Sequence, residues 1–430
     1  MKLGGALALV LALALVIGAV WWASERSSTI PDAALPDAPS QVHAPRAAEA
    51  AALGAPPASE PTARVAEPVA PSLAPLVDTP RAVGTVLVRA TWNSPAAPAA
   101  GLAVRLVARD TGYPPLGVRE ARTDARGEAR FERVPAGAVE LASDRQRVAG
   151  QVEPESAWNA ELKLERGLEL RGRTIDPAGR AVAHAELFLL CADSDVPLHA
   201  TESDNSGQFR LFDVALGSRV FARAKDRSPS RPYAVDGNAE AGFEHLLTLG
   251  ERGANLIGQV LDENEAPVAG AAVCIEHAGS PPALTESDRE GRFVLNGLEP
   301  GSARLLVRFA ALAPHDEALE LGWGGRDERI VRLAAGRSVG GRAFDEAGAP
   351  LAGLELSWRS ASSTLEIRTI SAADGSFGLR GVPVGRQRLY AGDWGFEVEV
   401  EELGATTWNP ILPQRAPEQL EARPARRRGP

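Results

Sequence analysis

From Gly84 onward, apolar and polar residues alternate in short runs broken by Gly, Pro and Asp. Alternation puts one set of side chains on each face of a strand. Strands punctuated by turn signals every ~8–12 residues are the pattern of an all-β sandwich. The runs also recur: TDARGEARFERVPAG, SDNSGQFRLFDVALG, SDREGRFVLNGLEPG and SAADGSFGLRGVPVG are copies of one turn–strand–turn unit. Their first glycines, Gly127, Gly207, Gly291 and Gly375, stand 80, 84 and 84 residues apart. An apolar residue follows in each (Val134, Val214, Leu298, Val382), and then a second glycine (Gly137, Gly217, Gly301, Gly385).

The leading aspartate has a turn role. Its carboxylate can accept backbone N–H groups two residues on, while glycine supplies a positive φ that other residues resist. Asp124, Gly127, Asp204, Gly207, Asp288, Gly291, Asp374 and Gly375 therefore read as structural turn residues. The fourth copy departs from the others, with Ala372 in the leading position and Asp374 next to the glycine. Upstream, GRTIDPAGRAVAHAELFL, GQVLDENEAPVAGAAVCI and GRAFDEAGAPLAGLELSW share a strand, an Asp-led turn and a second strand. The first copy, from Gly84, keeps the second strand but has a longer, Pro-rich loop. Each copy closes on an alternating segment, ending at Leu164, Leu249, Leu333 and Leu412. The expected repeats are 84–165, 166–250, 251–334 and 335–415, with a basic tail at 416–430 that includes Arg426, Arg427 and Arg428. No long amphipathic helix follows residue 84. The links between copies are short, as at Glu165–Gly167. Such links predict sandwiches stacked end to end as a rod on the order of 120 Å.

These two patterns resemble the carboxypeptidase regulatory-like domain, a transthyretin-like (prealbumin-like) β-sandwich. Its relatives include the B-type repeats of collagen adhesins and starch-binding-like folds. The resemblance covers nearly all of 84–413 and is best in the third copy. It implies a fold rather than an activity, because such modules accompany peptidases without being catalytic. The lysine–asparagine isopeptide bond of adhesin repeats is not expected, since only Lys163 and Lys225 lie in this part of the chain, near repeat edges.

The N-terminus has a different pattern. Leu3–Ala23 is a 21-residue uncharged, mostly apolar run. That length is enough to span a ~30 Å hydrocarbon core as a helix. Lys2 precedes the run, and Trp21 and Trp22 sit at its far end, which orients the body outward. Residues 1–24 thus read as a transmembrane anchor in preference to a cleaved signal sequence. Residues 25–83 read as a disordered linker: Ser27 to Val83 holds 11 prolines and no aromatic residue. The expected location is a single-pass membrane protein with its C-terminal body in the periplasm or at the cell surface.

Composition narrows the function. The net charge of -10 argues against nucleic acid as a partner. Only three of the 46 basic residues are lysines, which leaves 43 arginines. Cys191 and Cys274 fall in different repeats and read as small apolar strand residues. No nucleophile elbow or phosphate loop occurs. His199 and Glu202 have a zinc-ligand spacing, but Glu202 recurs as Glu286 within an identical TESD that no histidine precedes. The repeat accounts for Glu202 and chance for His199. His184, seven residues before Cys191, reads as a surface histidine. Asp193, Asp195 and Asp204 are better explained by turn capping than by calcium. Trp358 is in phase with Leu354 and Leu356 and should be core, whereas Trp92, Trp323 and Trp394 remain candidates for stacking on sugars. We therefore expect no catalytic residue, cofactor or metal. The expected function is a non-catalytic, membrane-anchored envelope protein whose repeats are structural, adhesive or protein-interaction modules. The alternative is a carbohydrate-binding display protein. The candidate partners are the membrane, through the N-terminal helix, and an envelope protein or polysaccharide.

Overall fold

The computed structural model describes residues 82–109, 112–191, 196–236 and 244–413. The expected anchor, the linker up to Arg81, the pair Asp193 and Asp195, and the basic tail lie outside the described residues. Within them the secondary structure is all β. No helix there is long and apolar enough to cross a membrane.

The third repeat shows the plan. Ala254–Asp262 is the central strand of a three-stranded sheet, antiparallel to Arg292–Leu298 and parallel to Arg326–Leu333. A second sheet runs in the order Ser280–Glu286, Ala272–His277, Gly301–Arg308, His315–Leu321, all antiparallel. The core lies between the two sheets and includes Leu256, Val260, Val273, Ile275, Phe293, Leu295, Leu305, Val307 and Val331. Alternation produces this core directly, since Phe293 and Leu295 point inward and their neighbours outward. Gly297, at φ 63, interrupts the period beside a register shift at Ala254/Leu256, and Leu298 then also turns inward.

The same plan recurs. In the first repeat Val83–Asn93 pairs antiparallel with Glu128–Pro135 and parallel with Ala157–Leu164. In the second, Leu168–Ile175 pairs with Gln208–Val214 and with Glu244–Thr248. In the fourth, Arg337–Arg342 pairs with Ser376–Val382 and with the short Thr406–Thr407. The closing segments are thus the parallel partners of their own repeat's first strand, so each sandwich completes itself. Each repeat centres a hydrophobic cluster of its own, and that of the fourth also takes in residues of the third.

The four-stranded sheets break the alternation rule. Ala272, Val273, Cys274 and Ile275 are all buried, as are Leu305, Leu306, Val307 and Arg308. A strand buried on both faces needs a cover on each. Here the outer cover is another repeat. Cys274 and Leu306 belong to the cluster of the fourth repeat, with Leu356, Trp358, Leu365 and Ile367. The first repeat also reaches past the second: Tyr113 exchanges backbone hydrogen bonds with Glu366 of the fourth, at 2.9 and 2.8 Å. These contacts contradict the expectation of repeats meeting only end to end. Short links restrict neighbours, but apolar outer faces decide what packs on what. Burying one such Leu side chain is worth ~1.5–3 kcal/mol.

Candidate functional site

The four Asp–Gly turns share one backbone geometry, and three of them share one carboxylate role. Asp124 Oδ1 accepts the backbone N–H groups of Arg126 and Glu128 at 2.8 and 2.9 Å. Asp204 does the same for Ser206 and Gln208, and Asp288 for Glu290 and Arg292. In the fourth copy Asp374 accepts from the backbone and hydroxyl of Ser376 instead, and the Gly375 N–H donates to Ala372 O. The hydrogen bond from the Glu128 N–H, acting first, holds the Asp124 carboxyl below the usual range. The Ser206 hydroxyl does so for Asp204, and the Ser376 hydroxyl for Asp374.

Each turn glycine has a positive φ, between 74° and 77°. It also lies flat against its repeat's first strand. A Cβ on Gly127 would stand 2.3 Å from Ala90 O, and one on Gly291 2.4 Å from Val260 O. Both requirements fall on the same residue, so no side chain fits there.

A second recurring group carries no role in the sequence reading. The hydroxyl residue before each turn, Thr123, Ser203, Ser287 or Ser371, is buried. Ser287 Oγ donates to Val268 O at 2.7 Å and accepts the Ala271 N–H at 2.9 Å. Ser371 does the same with Leu351 O and the Leu354 N–H. This hydroxyl ties the turn to the start of the second strand. Its signal was present in the sequence as a Thr or Ser in all four copies.

The remaining candidates are scattered. Trp92 is 4 % exposed in the first core, with the guanidinium carbons of Arg145 and Arg166 at 5.2 and 4.7 Å from its ring centroid. It is therefore a packing residue, not a sugar platform. Trp358 is buried, and its Nε1 donates to Gln387 Oε1 at 2.7 Å. Trp394 is 42 % and Trp323 70 % exposed. Lys163 is exposed beside Glu161, and His184 is exposed at φ 53. Cys191 and Cys274 are both free and buried.

Both thiols sit where repeats meet. Cys191 Sγ lies 3.5 Å from Ser143 O of the first repeat. Cys274 Sγ lies 3.4 Å from the Tyr113 hydroxyl. Burial pushes the Cys274 thiol up to about 12 and also raises Cys191, so neither is a nucleophile at neutral pH.

Three buried arginines tie the repeats together. Arg105 Nη1 donates to Val196 O and Pro197 O, crossing from the first repeat to the second. Arg223 Nη2 donates to Pro281 O at 2.7 Å and Pro282 O at 2.8 Å, crossing from the second to the third. Arg308 Nε donates to Pro114 O at 2.8 Å, crossing from the third back to the first. A guanidinium presents several donors in a fixed fork and can serve two adjacent carbonyls at once. Burial lowers the Arg223 guanidinium to about 10. Between the third and fourth repeats, Asp316 Oδ2 accepts from the hydroxyls of Ser360, Ser362 and Ser363 at 2.7 to 2.8 Å.

With this architecture in view, residues 255–334 can be placed. They match the family model of the carboxypeptidase regulatory-like domain. This domain match covers the third repeat, whose Asp288–Gly291 turn and parallel closing strand recur in the other three. No curated protein matches the chain. Among solved structures, the Bacillus anthracis TIE protein is similar at 11% identity over 74% of this chain and 69% of its own, with a TM-score of 0.19. A streptococcal ancillary pilin is similar at 10% identity over 57% of this chain and 99% of its own, with a TM-score of 0.21. The major pilin subunit of Bacillus cereus is similar at 10% identity over 77% and 98%, with a TM-score of 0.17. At such scores these likenesses carry no functional argument.

Proposed function

We propose that the chain is a non-catalytic envelope protein. Residues 1–24 anchor it in the membrane, and four transthyretin-like repeats act as a structural and protein-interaction module. The observation that carries this reading is Arg223 Nη2 donating to both Pro281 O and Pro282 O. A buried cation spent on joining two domains, with counterparts at Arg105 and Arg308, serves cohesion rather than chemistry. Calorimetry on residues 82–413 tests it. One transition is expected, split into two or more by Arg223→Ala. Four separate transitions in the unmodified protein would contradict it. Anchoring is tested by alkaline extraction of membranes, where the full chain should stay with the pellet. Release into the supernatant would end the anchor reading.

A second reading, glycan display, is favoured by one observation, the 70 % exposure of Trp323. An indole in solvent can stack on a sugar face. Tryptophan fluorescence should then respond to an envelope polysaccharide in the unmodified protein and not in Trp323→Ala.

A further inference from the structure

We propose that Glu186, His199 and Glu202 of the second repeat form a binding site for a divalent transition-metal ion, zinc by preference. The site is independent of the structural reading above. Glu186 and Glu202 are direct partners across the antiparallel pair Glu186–Leu190 and Leu198–Glu202. Like charges directly opposite destabilise a sheet, and a cation between them reverses the sign.

The third ligand depends on a bulge. Side chains three apart on a regular strand point to opposite faces. Here the register shifts, with Leu187 paired to Thr201 and Phe188 to His199, so Ala200 is an extra residue on its strand. An extra residue restores the phase and brings His199 to the side of Glu202. One donor atom from each of Glu186, His199 and Glu202 then lies within 4.8 Å of the others. The ring of Phe188 stands edge-on to the imidazole at 5.6 Å and 80°, which limits its orientation.

The fold does not require this set. The third repeat shares the TESD sequence, but there Glu286 pairs with Ala272, and Leu284 pairs with Cys274. Arg223 stands directly across from Glu186 on the neighbouring strand and acts on its charge, but its hydrogen bonds go to the carbonyls of Pro281 and Pro282, and Arg122 donates to the backbone carbonyl of Ala200. Two carboxylates neutralise a divalent charge. The imidazole selects borderline metals over calcium and magnesium, which prefer six or more oxygens. Three protein ligands leave at least one position for water. Because Glu186 and Glu202 are exposed, an ion has a direct route in.

The test is calorimetric titration of the metal-stripped full chain with zinc chloride, together with visible absorption after loading cobalt(II). One zinc per chain is expected, with ligand-field bands from cobalt at the same stoichiometry. His199→Ala and Glu186→Gln should each weaken zinc binding at least ~10-fold without changing the circular dichroism, while Glu286→Gln leaves it unchanged. The proposal is overturned if zinc binding is absent, if it is indifferent to His199→Ala and Glu186→Gln, or if calcium binds this site more tightly than zinc.

Discussion

The phenol oxygen of Tyr113 and the thiol sulfur of Cys274 lie 3.4 Å apart, although 161 residues separate them along the chain. Tyr113 belongs to a loop of the first repeat and Cys274 to the outer face of a sheet in the third. The same loop supplies Pro114 O to Arg308 and the main-chain bridge to Glu366. One short segment therefore touches two repeats beyond its immediate neighbour.

Tyr113→Phe removes the weak hydroxyl contact with the Cys274 sulfur but keeps the ring, and should cost less than ~1 kcal/mol. Tyr113→Ala also empties the space between three repeats and should cost ~2–4 kcal/mol. Urea denaturation of residues 82–413 distinguishes the two variants.

Arg223→Ala leaves the Pro281 and Pro282 carbonyls without their buried donor and should destabilise by ~2–4 kcal/mol. Arg223→Lys should recover part of this, because one ammonium nitrogen can also donate to two carbonyls, as Nη2 does, but on a flexible stem without the rigid placement of the guanidinium. Equal stability of Arg223→Ala and the unmodified protein would refute the two-carbonyl account.

Gly270 and Gly291 separate backbone strain from crowding. Both have φ near 75°, but a Cβ on Gly270 meets nothing within 4 Å, while one on Gly291 meets Val260 O at 2.4 Å. Gly270→Ala should cost ~1–2 kcal/mol and Gly291→Ala clearly more, ~3 kcal/mol or above. Thermal melts of the two variants give the comparison.

Acid should weaken the protein through its depressed carboxylates. Hydrogen bonds from Arg210 first, and then Arg171, hold Glu169 at about 2, while Asp124, Asp204 and Asp374 are lowered by their turns. A carboxyl that is more acidic when folded contributes stability above its unfolded value of ~4. That contribution is lost as pH falls through the folded values. Stability should therefore decline below pH ~4, with the Glu169 share vanishing towards pH 2. Glu169→Gln should flatten that part of a urea-midpoint profile.

The turns were legible because their causes are local. Asp124 and Gly127 lie three residues apart, and the geometry they enforce needs no distant partner. The parallel closing strands were visible as alternation ending at Leu164 and Leu333, although alternation alone does not say which strand they join. The junctions were illegible for a physical reason. Arg105, Arg223 and Arg308 are three among 43 arginines, and only tertiary packing singles them out as buried donors. Tyr113 sits in a loop, where no periodicity marks a buried face. Glu186 joins His199 and Glu202 only because a bulge at Ala200 changes the phase, and a bulge leaves no trace in the spacing of residues.

Thiol labelling of Cys274 in full-length Cys191→Ser protein tests the central claim, that the outer sheet faces are covered by other repeats. The account predicts that native Cys274, fully buried against Tyr113 and the core of the fourth repeat, reacts at least ~100-fold more slowly than in the urea-unfolded chain, because it reacts only through opening. Tyr113→Ala should speed that reaction. If native Cys274 labels as fast as an exposed thiol, its sheet face is open to solvent and the repeats do not cover one another.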